Sequence, residues 1–290
     1  MTWPPALALF AAVGFGCAGV LLRRALAQAT PLAAAIVSVS FTTVFVCLLA
    51  LATAPVSRLF TWRIAPFLLA GIIAPGLSRL AYFFGIHRVG VARTMPLVST
   101  SPVFAVILAV ALLGERLSWP LVAGIGCIVV GGTLLAGRGR ADMPWRRRDL
   151  LLPVLAALGF AVRDNIFRFG FRDYDEPLLA ATAAALSSLV VMWLVGATQW
   201  NTGHIRVSRA ALIFLAGAGL AEALAYVSML RAFSRGDVSV VSPLANTHGL
   251  FAVTLTAIFL RDLERVTWRL VTASALIVAG IFAVLRAVSD

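Results

Sequence analysis

The chain has 290 residues, 61% of them hydrophobic and only 12% charged, where soluble proteins average about 25% charged. A single soluble core cannot hide that much apolar surface, so the composition excludes an ordinary soluble fold and calls for a bilayer as solvent. The net charge of +12 does not signal a nucleic-acid partner. Every basic residue is arginine, set mostly singly or in pairs between long apolar runs, as at the flanks of membrane helices. A nucleic-acid face would cluster them.

A membrane-spanning helix needs about 20 mainly apolar residues. Ten such runs are predicted, at 4–27, 32–53, 64–86, 91–112, 119–136, 150–170, 178–197, 210–230, 238–260 and 268–285. Each should be helical, because backbone polar groups in lipid must pair within their own segment. In the first run, Arg23 and Arg24 follow the apolar stretch and no basic residue precedes it. A secretory signal has the opposite charge order, so Ala6 to Leu22 reads as a span. The same run spells GxGxxG from Gly14 to Gly19. A dinucleotide site needs that string between a strand and a helix, with an acid about 20 residues on, and neither holds. Close packing by small residues is the expected role, here and at Gly124, Gly131 and Gly132. Cys17, Cys47 and Cys127 lie in apolar segments without metal-ligand spacing, so no metal and no cofactor is expected.

Residues 138–149 form a basic linker containing Arg146, Arg147 and Arg148, and divide the chain into residues 1–137 and 150–290. The two parts share an ordered set of strings. Gly14-Phe15 recurs as Gly159-Phe160, Pro31-Leu32 as Pro177-Leu178, Ala81-Tyr82 as Ala225-Tyr226, Pro96-Leu97 as Pro243-Leu244, and Glu115-Arg116 as Glu264-Arg265. An odd number of spans per part inverts the second relative to the first. The predicted fold class is therefore an all-α membrane protein with ten transmembrane helices in two inverted five-helix repeats. Such repeats are a recurring transporter architecture with the substrate site at mid-membrane.

A Ser-Pro, an apolar helix and then Gly-Glu-Arg-Leu stand at Ser101-Pro102 and at Gly114-Glu115-Arg116-Leu117, with a degenerate copy ending in Glu264-Arg265. On these residues the chain resembles the EamA-type proteins of the drug/metabolite transporter superfamily. The resemblance implies export or import of amino acids, other metabolites or toxic compounds, and a cavity lined by the third and fourth helices of each half. It also implies both termini in the cytoplasm. The excess of loop arginine, however, falls on the face opposite the termini, because the linker lies there, and the positive-inside rule would make that face cytoplasmic.

An ionisable residue at a helix centre costs about 2.5–3.5 kcal/mol, so the few present are candidates for substrate binding or ion coupling: Arg79, Arg163, Asp164 and Glu222. Counted along the helix at 1.5 Å per residue, Arg79 falls about 6 Å past its span's centre and Glu222 about 3 Å, in opposite leaflets. This argues against a bridge between them. Arg163 lies at a depth matching Glu222, so the two are expected either to pair or both to face a wet cavity; for Arg79 the alternative to a functional role is snorkelling toward the headgroups. The alternative for Arg163 and Asp164 is a purely structural pairing with a neighbouring helix. Polar clusters follow the helix-kinking Pro96 and Pro243: Ser99 and Thr100 in span four, just ahead of a further kink candidate, Pro102, and Asn246 and His248 in span nine. They can bind substrate or re-satisfy backbone carbonyls freed by the kink. Tyr82 and Tyr226 hold matching places and either line the cavity or pack with capped hydroxyls. Glu115 is expected to fix the turn at the foot of span four.

No nucleophile triad, metal set or catalytic carboxylate pair emerges, so the chain reads as a non-enzymatic secondary transporter. A small polar metabolite such as an amino acid is the expected cargo, moved by alternating access and open to proton coupling through the two acids and His248. Its expected setting is the cell membrane, in bacteria the inner one, as a monomer or homodimer in contact with substrate and lipid and without nucleic acid. Rival readings are a flippase for lipid or lipid-linked sugar and a non-transporting partner subunit.

Overall fold

The computed structural model describes residues 3–135, 146–199, 207–259 and 268–289. Nine helices there are long and apolar enough to span a membrane: Pro4–Ala25, Pro31–Thr53, Trp62–Ile86, Arg93–Leu113, Arg147–Gly170, Pro177–Thr198, Arg209–Arg235, Val238–Leu255 and Val271–Val288. With the shorter apolar helix Trp119–Leu135 they occupy all ten expected places. Most of the linker, residues 138–145, and the second Glu-Arg string, Glu264-Arg265, lie outside the described residues.

The helices start where the sequence provides a start. Pro4, Pro31 and Pro153 sit in or near a first turn, where a missing N–H costs nothing, and Ser208 caps the eighth span through the Ala211 N–H at 3.1 Å. Their outer faces carry large apolar side chains such as Leu51, Val190 and Phe282, as a lipid-facing surface should. Trp62, Trp119 and Trp268 stand exposed at helix ends, where indole rings favour the membrane interface.

Each half packs mainly against the other. Span one lies on spans eight and nine, and its repeat mate, span six, lies on spans three and four. Span two meets spans seven and eight, and span seven meets spans two and three. Spans five and ten pair directly. Their small residues show the direction of the pair. A Cβ at Gly124 would lie 2.9 Å from the Gly280 carbonyl oxygen, and one at Gly131 would lie 2.8 Å from that of Ala273. The early part of one helix thus faces the late part of the other, so the mates run antiparallel and the repeats are inverted. Spans two and seven cross likewise, with Ser40 near Trp193 and Thr43 near Ala185.

Gly14 and Gly16 seat span one on spans eight and nine. A Cβ at Gly14 would lie 2.9 Å from that of Ala225, and one at Gly16 2.9 Å from the Ala252 nitrogen. The GxGxxG string is therefore a packing surface inside a membrane helix. An aromatic cluster of Phe67, Phe167, Phe171, Tyr174 and Phe233, with centroids 4.8–6.2 Å apart, joins spans three, six and eight toward the face that carries the termini.

Candidate functional site

Spans four and nine are each broken in the middle. Span four consists of Val91–Val98 and Ser101–Leu108, and span nine of Val238–Ala245 and His248–Phe259. Pro102 has no N–H to give the Val98 carbonyl four residues back, and tight i→i−3 bonds replace the regular ladder. Thr100 N donates to Leu97 O at 3.2 Å and Thr247 N to Leu244 O at 3.1 Å. Of the two roles expected for the polar residues here, several take the backbone one. The Thr100 hydroxyl donates to Leu97 O at 2.6 Å and the Thr247 hydroxyl to Leu244 O at 2.7 Å. His248 Nδ1 lies 3.2 Å from Ala245 O. A carbonyl only accepts, so Nδ1 is the donor of this bond. The His248 ring stands edge-on to Phe15 of span one at 6.3 Å.

The two breaks touch. Ser101 Oγ donates to Asn246 Oδ1 at 3.4 Å, while Asn246 Nδ2 holds Ser242 O at 2.9 Å. Span six backs onto this junction through Asn165, whose Nδ2 donates to Ala105 O in span four and to Ala161 O, each at 3.0 Å. Its Oδ1 is buried without a partner among the described residues. Ser99 lies at the same break, 3.7 Å from the position a Gly132 Cβ would take.

The charged residues pair differently from expectation. Arg79 Nη2 donates to Glu222 Oε1 at 2.8 Å, joining spans three and eight, and Thr42 of span two lies 3.3 Å from Oε2. Three features overturn the depth argument. The eighth helix continues to Arg235, which puts Glu222 at its midpoint. Span three is interrupted between Ala65–Gly71 and Ser78–Val89 by a wide turn at Ile72–Leu77, with Ala74 extended before Pro75. That interruption breaks the uniform rise of about 1.5 Å per residue on which a depth count rests. The long arginine side chain closes the rest, where the count had followed Cα positions alone. Arg79 is therefore not turned toward the headgroups.

Nor does Arg163 reach Glu222. It grips its neighbour Asp164, with Nε at 3.0 Å and Nη2 at 2.7 Å from Oδ1. Its guanidinium lies over Phe160 at 5.2 Å and Phe167 at 5.8 Å, within cation–π range. Asp164 Oδ2 accepts the Ser242 hydroxyl at 2.6 Å from span nine. The Asp164 side chain is 4% exposed and both its oxygens are engaged, one by Arg163 of its own helix and one by Ser242 of span nine. Tyr82 and Tyr226 diverge as well. Tyr82 donates to Met95 Sδ at 2.9 Å, while the Tyr226 hydroxyl is buried without a partner among the described residues and its ring meets Phe167 edge-on at 6.1 Å.

Two contacts were not legible beforehand. Thr42 carried no signal, being one hydroxyl among several in span two. Glu115 reaches farther than its own turn: its two oxygens accept the Val238 N–H at 2.7 Å and the Ser239 N–H at 2.9 Å, capping the first half of span nine in the opposite repeat. Gly114, with φ 72°, lets the chain leave span four at the required angle. On the same face Arg172 donates to Leu113 O at 3.4 Å, Arg63 to Asp173 O at 3.4 Å, and Arg58 pairs with Glu176. Tyr174 donates to Arg58 O at 3.2 Å. Burial, with Glu176 nearby, pushes the Tyr174 hydroxyl up to about 12, against the opposing pull of Arg58.

The EamA-like transporter family model matches residues 2–137 and again residues 148–286. An uncharacterized transporter from Archaeoglobus fulgidus is 24% identical over 284 residues, covering 97% of this chain and 95% of the relative. A crystal structure of another protein superposes with a TM-score of 0.81 at 18% identity, covering 96% of this chain and 95% of that one. At that identity the likeness is one of fold.

Proposed function

Since the chain belongs to the EamA-like transporter family and is a multi-pass membrane transporter, we propose that it is a secondary carrier of a small polar metabolite, such as an amino acid or a related compound, working by alternating access. The observation that carries this reading is the pair of matching mid-span breaks in helices four and nine, joined by Ser101 and Asn246. Discontinuous helices at an inverted-repeat interface expose backbone groups and half-helix ends where a solute can replace water. Ser101, Asn246 and His248, with Ser99 and Thr100 beside them, surround that junction. Arg79 and Glu222 stand at a second polar site between spans three and eight.

The halves interlock, each packing chiefly on the other, so rocking one against the other would open either face in turn. In this reading the polar ties of Glu115, Arg172, Arg63 and Arg58 are contacts that would have to part for the termini face to open. No nucleotide motif is present in the sequence, so an ion or solute gradient supplies the energy, with protons the coupling ion this reading favours. The chemistry stays non-covalent: hydrogen bonds and charge select the cargo, and no bond is made or broken.

The test is counterflow in proteoliposomes with a panel of labelled amino acids and amines, comparing wild type with the double variant Ser101→Ala/Asn246→Ala. Exchange that drops at least tenfold in the double variant supports the reading. Exchange equal in both, from protein of equal fold, removes the junction from the transport path.

A further inference from the structure

The Arg79–Glu222 pair is only half satisfied, and in a way that accommodates a proton. Glu222 Oε1 has the guanidinium at 2.8 Å. Among the described residues Oε2 has only the Thr42 hydroxyl, at 3.3 Å, and that hydroxyl also lies 2.9 Å from Ser38 O. A hydroxyl has one proton to give, and the shorter bond to Ser38 takes it. Oε2 is then left facing a Thr42 oxygen with a free lone pair. A protonated Oε2 would donate into that lone pair, so Thr42 serves both states of the acid. On the other side of the pair, Arg79 Nη1 is buried with no partner among the described residues, although its N–H groups are strong charge-bearing donors. The Arg163–Asp164 pair offers no such freedom, because both carboxylate oxygens are already held.

Other titratable groups are few. Tyr226 lies one turn along the same helix and within electrostatic range of Glu222, Arg163 and Asp164, and Tyr82 lies within range of Arg79. Of the other helices packed on the eighth span, the first brings Cys17 and, at its end, Arg23 and Arg24, and the second brings Cys47. The seventh span and the first half of the ninth bring no acid or base; the sixth brings the Arg163–Asp164 pair, Arg168 at its termini-side end and Arg147, Arg148 and Asp149 at the other, and the eighth span itself carries Arg209, Arg231 and Arg235 toward its ends.

Resting on the transporter reading above, we infer that Arg79 is the seat for the carboxylate of a small organic monoanion, and that this anion enters together with one proton, which neutralises Glu222. A buried arginine requires one negative charge. Empty, the site meets that need with the Glu222 carboxylate. Loaded, it meets it with the substrate carboxylate on Nη1 and Nη2 while Glu222 holds its proton on Oε2, facing Thr42. The charges balance: Arg79 cation and Glu222 anion, plus a proton and a monoanion, become neutral Glu222 and an Arg79–carboxylate pair. Linkage is reciprocal, so the proton tightens the anion as much as the anion tightens the proton. Transport of this cargo is electroneutral symport.

The first measurement is made on purified protein in detergent at low buffer strength, with lactate, pyruvate and benzoate as probes and leucine as the zwitterionic comparison. Expected is binding of at least one monocarboxylate with uptake of about one proton, the affinity rising about tenfold for each pH unit lowered while Glu222 is ionised in the free protein. Glu222→Gln should bind the same probe without proton uptake or pH dependence, and Arg79→Gln should not bind it. Arg79→Gln/Glu222→Gln removes both charges together and checks that folding survives their loss. Monocarboxylate binding by wild type without proton uptake overturns the inference, as does failure of all three probes to bind. Should the three fail while proteoliposomes still carry leucine, the anion seat falls and the transporter reading stands. Should binding and proton uptake appear with no solute carried into liposomes, the transporter reading falls and the seat stands.

Discussion

Glu115→Ala tests whether the turn after span four holds the opposite repeat. The Glu115 carboxylate accepts two N–H groups at the start of Val238–Ala245, at 2.7 and 2.9 Å, and no capping side chain from Asp237 is present there. Losing an N-cap costs about 0.5–2 kcal/mol. Removing a negative charge from a helix N-terminus adds about 0.3–1 kcal/mol. Together these come to about 1–3 kcal/mol, and each 1.4 kcal/mol is about tenfold in an opening equilibrium. Hydrogen–deuterium exchange should therefore speed up by about tenfold or more at the amides of Val238 and Ser239, with smaller changes on the opposite face of the membrane. Glu115→Gln keeps one acceptor and should fall between. Unchanged exchange at both amides in Glu115→Ala would refute the capping role and with it the idea that this carboxylate helps close the termini face.

Asp164→Asn should reduce the yield of folded protein and lower its melting temperature sharply, since an unpaired buried arginine costs about 3–5 kcal/mol; replacing Arg163 and Asp164 together with Met and Leu should recover most of the loss in a detergent melting assay. Asn165→Leu should destabilise by about 1–3 kcal/mol, seen as a lower melting temperature, because the Ala105 and Ala161 carbonyls lose their shared donor. Gly131→Leu should prevent spans five and ten from closing, read as loss of monodisperse protein, since even a Cβ there meets the Ala273 carbonyl at 2.8 Å. The Tyr174 hydroxyl, pushed up to about 12, should ionise only near that pH in a difference titration of wild type against Tyr174→Phe. Its folded value lies above the free tyrosine value of about 10, so its contribution to stability is complete below pH 10 and is lost as the pH rises through 12.

By itself the sequence determined the span count, the two repeats and their inversion. These follow from apolar run length and from an odd number of crossings, both properties of the chain read in order. It also determined where spans four and nine break, because proline and the polar residues beside it act on their own helix. The role of Gly14, Gly16, Gly124 and Gly131 was legible for the same reason, since small residues in apolar helices have little else to do. Only the tertiary structure decided which charges meet. Hydropathy gives neither the rotation of a helix nor the reach of its side chains, and ten helices of similar apolarity can be paired in many ways. Arg79 finds Glu222 because a wide turn in span three and the full length of span eight bring them to one level, and because an arginine spans what remains. Arg163 settles on Asp164 because the adjacent carboxylate and Ser242 of span nine complete each other. Glu115 reaches the other repeat because inversion sets the end of span four beside the start of span nine. In a membrane, where apolar contact alone barely distinguishes one helix neighbour from another, small-residue packing and these few polar contacts choose the arrangement.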